Sequence, residues 1–203
     1  MPGSLFIVAA PSGSGKSTLV NALLAKEPGI SLSISYTSRG PRPGEEDGVH
    51  YHFVTRERFE QMASDGDFFE YAIVHGDLKG TARQSVEPLL AAGKDVLLEI
   101  DYQGAQRVRA QVPAAVSIFI LPPSRLELER RLRTRAKDSE ATILRRLADS
   151  RKEIAHAWEF DYIVVNEVFE TALEQMGTIV HATRLHRRVQ QQRLKALVDT
   201  LLA

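Results

Sequence analysis

The chain has 203 residues, 43% of them hydrophobic and 26% charged, enough to bury the core of one compact domain that carries smaller subdomains. Lysine plus arginine and aspartate plus glutamate both number 26, so no global field favours nucleic acid or a membrane surface, and any anion site has to be local. Cysteine is absent, no repeat is found, no apolar run approaches the roughly 20 residues of a membrane helix, and no signal-like segment opens the chain; disulfides and thiolate metal sites are excluded and a cytoplasmic protein is expected.

In chain order, Leu5–Ala9 reads as a buried strand and residues 15–26 as a helix. A turn-rich breaker, residues 39–44, precedes an alternating strand over 49–54, and Thr55 then caps a helix carrying Phe59 and Met62. Residues 67–74 read as a strand, 84–92 as a helix stopped by Gly93, and 95–100 as an apolar strand ending in acidic residues. Val116–Leu121 is a further buried strand; Ser124 and Glu127 have capping-box spacing, so a helix starts directly after Pro122 and Pro123. Arginine-rich helical sequence follows, broken near 136–138, then an apolar strand over 161–166 and a long closing amphipathic helix. Apolar strands alternating with helices predict an α/β fold, a parallel sheet of P-loop NTPase type covered by helices.

The stretch APSGSGKST, residues 10–18, sits between the first strand and the first helix. Gly13 and Gly15 let successive N–H groups face inward, the helix adds its positive end, Lys16 supplies a mobile cation and Ser17 a hydroxyl for magnesium. Ala10, Pro11, Ser12, Gly13, Ser14, Gly15, Lys16, Ser17 and Thr18 are therefore the expected binding loop of a nucleoside triphosphate, with Ala10 where the strict pattern has glycine. Downstream, Arg39 and Arg42 lie three apart in a proline-pinned turn with Tyr51 nearby; they suit a phosphate gripped from two sides, or else a solvated basic turn.

Thr37-Ser38-Arg39, then Arg42, Glu45, Gly48, Tyr51 and Phe53 at their spacing resemble the signature of guanylate kinases. The likeness continues through 68–72, Gly80-Thr81, 98–105 and 161–166, nearly the whole chain. The resemblance implies a core of about 1–33, 84–123 and 150–203, a GMP-binding insert with strands at about 34–83, and a helical lid at about 124–149. It implies Mg-dependent transfer of the ATP γ-phosphoryl group to GMP, feeding GTP and dGTP supply and GMP recycling. It places Arg39, Arg42 and Tyr51 on the GMP phosphate, and Ser35, Glu70, Thr81 and Asp101 on guanine. Guanine fits that set: its N1–H and amine donate to a carboxylate such as Glu70, and its O6 accepts from Ser35 or Thr81. Asp101, at the end of a strand, is also expected to arrange magnesium through water beside Ser17.

Phosphoryl transfer needs alignment and charge compensation. Lys16 and, by the resemblance, the lid arginines Arg131, Arg135 and Arg146 are the expected catalytic cations, while Arg130, Arg133 and Arg145 read as helix surface. The chain departs from the family at Leu78 and Lys79, where tyrosines are usual; Lys79 either replaces a phenol as a point charge on the phosphate or is an exposed lysine. Ala136 stands where a hinge glycine is common. Residues 181–203 read as a closing helix packed on the sheet with a solvated basic face, the alternative being a self-association surface and a homo-oligomer. No nucleic-acid or membrane partner is expected. The rival readings are an inactive guanylate-kinase-like interaction module and a kinase of another small phosphorylated substrate.

Overall fold

The computed structural model of the protein describes residues 3–74, 76–135 and 139–203. Its strands are β1 (Leu5–Ala9), β2 (Ile30–Leu32), β3 (Tyr36–Thr37), β4 (His52–Phe53), β5 (Phe68–Val74), β6 (Asp77–Ala82), β7 (Asp95–Glu99), β8 (Val116–Leu121) and β9 (Tyr162–Val165). Its helices are α1 (Lys16–Lys26), α2 (Arg56–Ser64), α3 (Glu87–Ala91), α4 (Tyr102–Gln111), α5 (Arg125–Arg135), α6 (Glu140–Ile154), α7 (Phe169–Leu185), α8 (Arg187–Arg193) and α9 (Lys195–Leu202). One sheet has the order β2-β7-β1-β8-β9 and is parallel throughout. A second sheet, β4-β3-β6-β5, pairs β6 antiparallel with both β3 and β5.

Strand periodicity explains why β1 is apolar without alternation. Phe6 and Val8 face one core cluster with Leu19, Val20 and Leu23 of α1 and Ala172, Met176 and Val180 of α7. Leu5, Ile7 and Ala9 face another, with Val86, Ala105, Val108 and Phe160. A parallel strand covered by helices on both faces has no solvated side to mark with polar residues. Burying each large side chain contributes roughly 1.5–3 kcal/mol, so this two-sided packing makes β1 a rigid base for the loop that follows it. A third cluster, Phe59, Met62, Phe68, Leu78 and Ala82, supports the second sheet from α2, which Thr55 caps by accepting a hydrogen bond from the N–H of Arg58 at 3.2 Å.

Three segments differ from the sequence reading. The strand expected over 49–54 shrinks to β4, because Gly48 takes φ +74° and the Glu46 carbonyl accepts from the N–H groups of Val49 and His50. A turn thereby takes backbone groups that a ladder would have used. The helix expected over 84–92 is a 3-10 turn, Arg83–Ser85, followed by α3; Pro88 suits only the first turn of a helix, and Gly93 ends the segment at φ +82°. The long closing helix is three helices. At His186 the backbone is extended and the imidazole accepts a hydrogen bond from the N–H of Arg188, so α8 starts afresh; α9 buries no residue and does not pack on the sheet. The helices α4 and α6 complete the chain.

Because the five strands are parallel, the loops after β1, β2, β7 and β9 all emerge at one edge, where open α/β sheets bind ligands. No helix among the described residues is long and apolar enough to cross a membrane.

Candidate active site

The loop after β1 turns through Gly13 at φ +92° and Gly15 at φ +86° into the start of α1. Side chains are excluded twice over: that backbone region favours glycine, and a Cβ on Gly15 would lie 2.5 Å from Asn166 Nδ2. Asn166, just past β9, donates to the Ser14 carbonyl at 2.7 Å and pins the loop from the neighbouring strand. Lys16 Nζ donates to the Ile100 carbonyl at 3.1 Å and lies 4.0 Å from Glu99 Oε1. Burial pushes the Lys16 ammonium below its ordinary pKa, and the carboxylates of Glu99, Asp101 and Glu153 pull it back. Ser17 Oγ donates to Glu99 Oε1 at 2.5 Å.

The helices after β8 grip the same loop. Ser124 Oγ accepts from the N–H of Glu127 at 3.1 Å, one half of the expected capping box. The other half is absent because the Glu127 carboxylate takes Arg130 and Arg131 at 2.7 Å, which hold its pKa at about 2. Arg131 also donates to the Asn166 carbonyl at 3.0 Å. Arg146 donates to Ser12 Oγ at 2.8 Å, and Glu153, pushed up by burial, accepts from the Ser12 N–H at 3.3 Å. Arg133 is paired with Glu129 and Glu140, and Arg145 is exposed. Arg135 closes α5; its side chain and Ala136 lie outside the described residues.

Across the cleft, the second sheet and the end of β7 present the other predicted residues. Thr81 Oγ1 donates to Glu70 Oε1 at 2.7 Å on adjacent positions of β6 and β5. Glu70 is buried; that burial above all, with the charge of Asp101, raises its carboxyl pKa above the ordinary value. Gly104 gives it space, since a Cβ there would lie 3.1 Å from Glu70 Oε2. Asp101 caps α4 by accepting from the Gly104 N–H at 2.8 Å. Lys79 Nζ donates to the Tyr51 hydroxyl at 3.3 Å and sits 5.0 Å over that ring. Arg39 forms a two-pronged pair with Glu45, both contacts at 2.6 Å, and its guanidinium lies 5.1 Å over the Tyr51 ring. Glu45 also accepts from the Arg42 N–H at 2.8 Å, and Arg39 foremost holds its pKa at about 2.

A cavity of about 430 Å³ joins the two sides, with Lys16, Ser17, Ser35, Tyr51, Glu70, Lys79 and Asp101 in its wall. Thr81 reaches it through Glu70, whereas Arg39 and Arg42 stand outside that wall, the Arg39 side chain and the Arg42 backbone N–H both engaging Glu45. A second recess of about 350 Å³ lies on the far side of the loop, between Gly13, Gly15 and Thr18 and the side chains of Arg131, Thr134, Asn166 and Phe169. Sequence reasoning passed over Glu99, Glu153 and Asn166 as site residues. Glu99 carried a signal, an acid ending an apolar strand; Glu153 and Asn166 carried none, since their contact with the loop depends on sheet order and helix packing.

A glycine loop on a rigid parallel strand, its lysine lining one cavity with a buried carboxylate, defines a P-loop nucleotide-binding α/β protein with a second ligand recess. A family model described as guanylate kinase matches residues 3–183. The guanylate kinase of Xanthomonas oryzae pv. oryzae is 61% identical over 202 residues, with 100% of both chains covered, and that of Xylella fastidiosa is 59% identical, covering 100% of this chain and 99% of the relative. The crystal structure of guanylate kinase from Anaplasma phagocytophilum matches with a TM-score of 0.74 at 33% identity, covering 95% of this chain and 96% of that one. The chain belongs to the guanylate kinase family.

Proposed function

We propose that this chain is an ATP:GMP phosphotransferase whose two nucleotides meet across the cavity between Lys16 and Glu70. The observation that carries this reading is the cavity itself, which sets the loop cation and Ser17 opposite a buried carboxylate hydrogen-bonded to Thr81. In this reading the loop 10–18 holds the ATP phosphates, and Ser35, Glu70, Thr81 and Asp101 read guanine. Tyr51, Lys79, Arg39 and Arg42 take the GMP phosphate, which requires the Arg39 fork to leave Glu45 or to share it. Lys16, Arg131, Arg135 and Arg146 compensate charge on the transferring group. The insert of about 34–83 and the lid of about 124–149 are the moving parts on a core of about 1–33, 84–123 and 150–203, in a cytoplasmic enzyme.

The residues fit magnesium. The Ser17 hydroxyl and the Glu99 carboxylate are hard oxygen donors placed together at the start of α1. Among the described residues no group of three His, Asp or Glu side chains could hold a metal unaided, so Ser17 would share the ion with ATP phosphates, and Asp101 would act through water. When bound, the ion neutralises phosphate charge.

A coupled assay of ADP release with GMP, AMP, UMP and CMP tests the reading. Turnover with GMP alone is expected; AMP turnover equal to that with GMP would overturn the guanine assignment, and no turnover with any acceptor would favour an interaction module. For Lys79, the Lys79→Met variant is expected to raise the KM for GMP about tenfold with the KM for ATP unchanged. An exposed, uninvolved lysine would move neither.

Self-association is part of the proposal because Leu194, at the junction of the last two helices, and Leu197, Val198, Leu201 and Leu202 of α9 are exposed. Sedimentation velocity should show a species larger than one chain, and the double variant Leu197→Lys, Leu201→Lys should return it to the monomer.

A further inference from the structure

Ser33 follows β2 on the short segment that leads to Ser35, anchored by its N–H donating to the Leu97 carbonyl at 3.0 Å. The residue is 7% exposed, and its Oγ has no hydrogen-bond partner. It lines the same cavity as Ser35, Glu70, Glu99 and Asp101. Among the described residues the only other buried side-chain polar atom without a partner is Ser14 Oγ, and Ser14 does not line that cavity.

A buried hydroxyl without a partner loses its hydration and gains nothing in return, so alanine, nearly the same size, would suit the empty fold better. The cost is offset where a polar ligand enters beside the hydroxyl. The position suits that role. The β2–β7 pairing ends with Leu32 opposite Leu97, which sets Ser33 at the level of the β7 carboxyl end, in the wall of the cavity that Ser35, Glu70 and Glu99 also line. A hydroxyl both donates and accepts, so it can meet either kind of group on a purine nucleotide.

We propose that the Ser33 hydroxyl hydrogen-bonds the acceptor nucleotide in this cavity, a specificity-determining contact beside Ser35. The inference rests on the acceptor being GMP, and it adds a residue to that site.

The test is Ser33→Ala, read by calorimetry and by thermal melting of the full chain. GMP should bind about tenfold more weakly, while a non-hydrolysable ATP analogue binds within twofold of wild type. The melting temperature without ligand should rise by about 2–4 °C, the shift expected in a chain of this length when one unpaired buried hydroxyl is removed. The two readouts move in opposite senses, which a packing role would not produce. GMP affinity within twofold of wild type overturns the contact. So does a fall in melting temperature or loss of folding, because the hydroxyl would then serve the empty fold. If the wild-type protein itself binds no GMP, the functional reading fails first and takes this contact with it; if wild type binds and the variant binds equally, only the contact fails.

Discussion

Lys16→Ala is expected to lower kcat by roughly 10³-fold, about 4 kcal/mol of transition-state stabilisation, while GMP still binds within about threefold of wild type. The ammonium is the cation of the loop, held in the cleft by the Ile100 carbonyl and beside Glu99 rather than by an ion pair that fixes it fully. It is therefore available to phosphate oxygens as charge develops on them. The base-reading group on the other wall, Glu70 with Thr81, does not touch Lys16, which is why acceptor binding should survive. A coupled assay gives the rate and calorimetry the GMP affinity. Equal loss of both would place the two nucleotides in one site and contradict the arrangement. Lys16→Met, which keeps the stem without the charge, separates the electrostatic role from packing.

Glu70→Ala is expected to weaken GMP by about 10²-fold or more and to leave an ATP analogue within twofold. A carboxylate that accepts two N–H groups of guanine makes charged hydrogen bonds worth roughly 1.5–3 kcal/mol each. Burial already strains the charged form, so the side chain is kept at a cost that a guanine edge offsets. Glu70→Gln should not rescue binding, because its amide can turn an N–H group toward the donors of the base. Equal weakening of GMP and the ATP analogue would show that Glu70 supports the whole cleft instead of one wall. An unchanged GMP affinity would move the guanine pocket elsewhere.

The phosphate loop was legible because everything it needs is local: an apolar strand, two glycines, a lysine and a helix in one stretch of chain. The Thr55 cap was legible for the same reason. Glu70 and Thr81 were named only through family likeness; their 2.7 Å contact comes from the β5–β6 pairing, which brings positions 11 apart in the sequence side by side. Glu99, Asn166 and Ser33 were not read as site residues. Each reaches the site because β2, β7 and β9 run parallel to β1 and end at one edge, and strand order is not written in any single segment. The spacing of Arg39 and Arg42 suits a phosphate, yet the engagement of Arg39 with Glu45 depends on the turn at 39–45, whose competing hydrogen bonds that spacing does not reveal. A single closing helix is what the amphipathic spacing through His186 predicts, while the local cap to Arg188 breaks the axis.

The most direct measurement is calorimetric titration of GMP into the protein, first alone and then with the loop saturated by a non-hydrolysable ATP analogue and magnesium. Two separate sites meeting at Lys16 predict one GMP per chain in both titrations. Displacement of GMP by the ATP analogue, with the stoichiometry falling toward zero, would contradict the account.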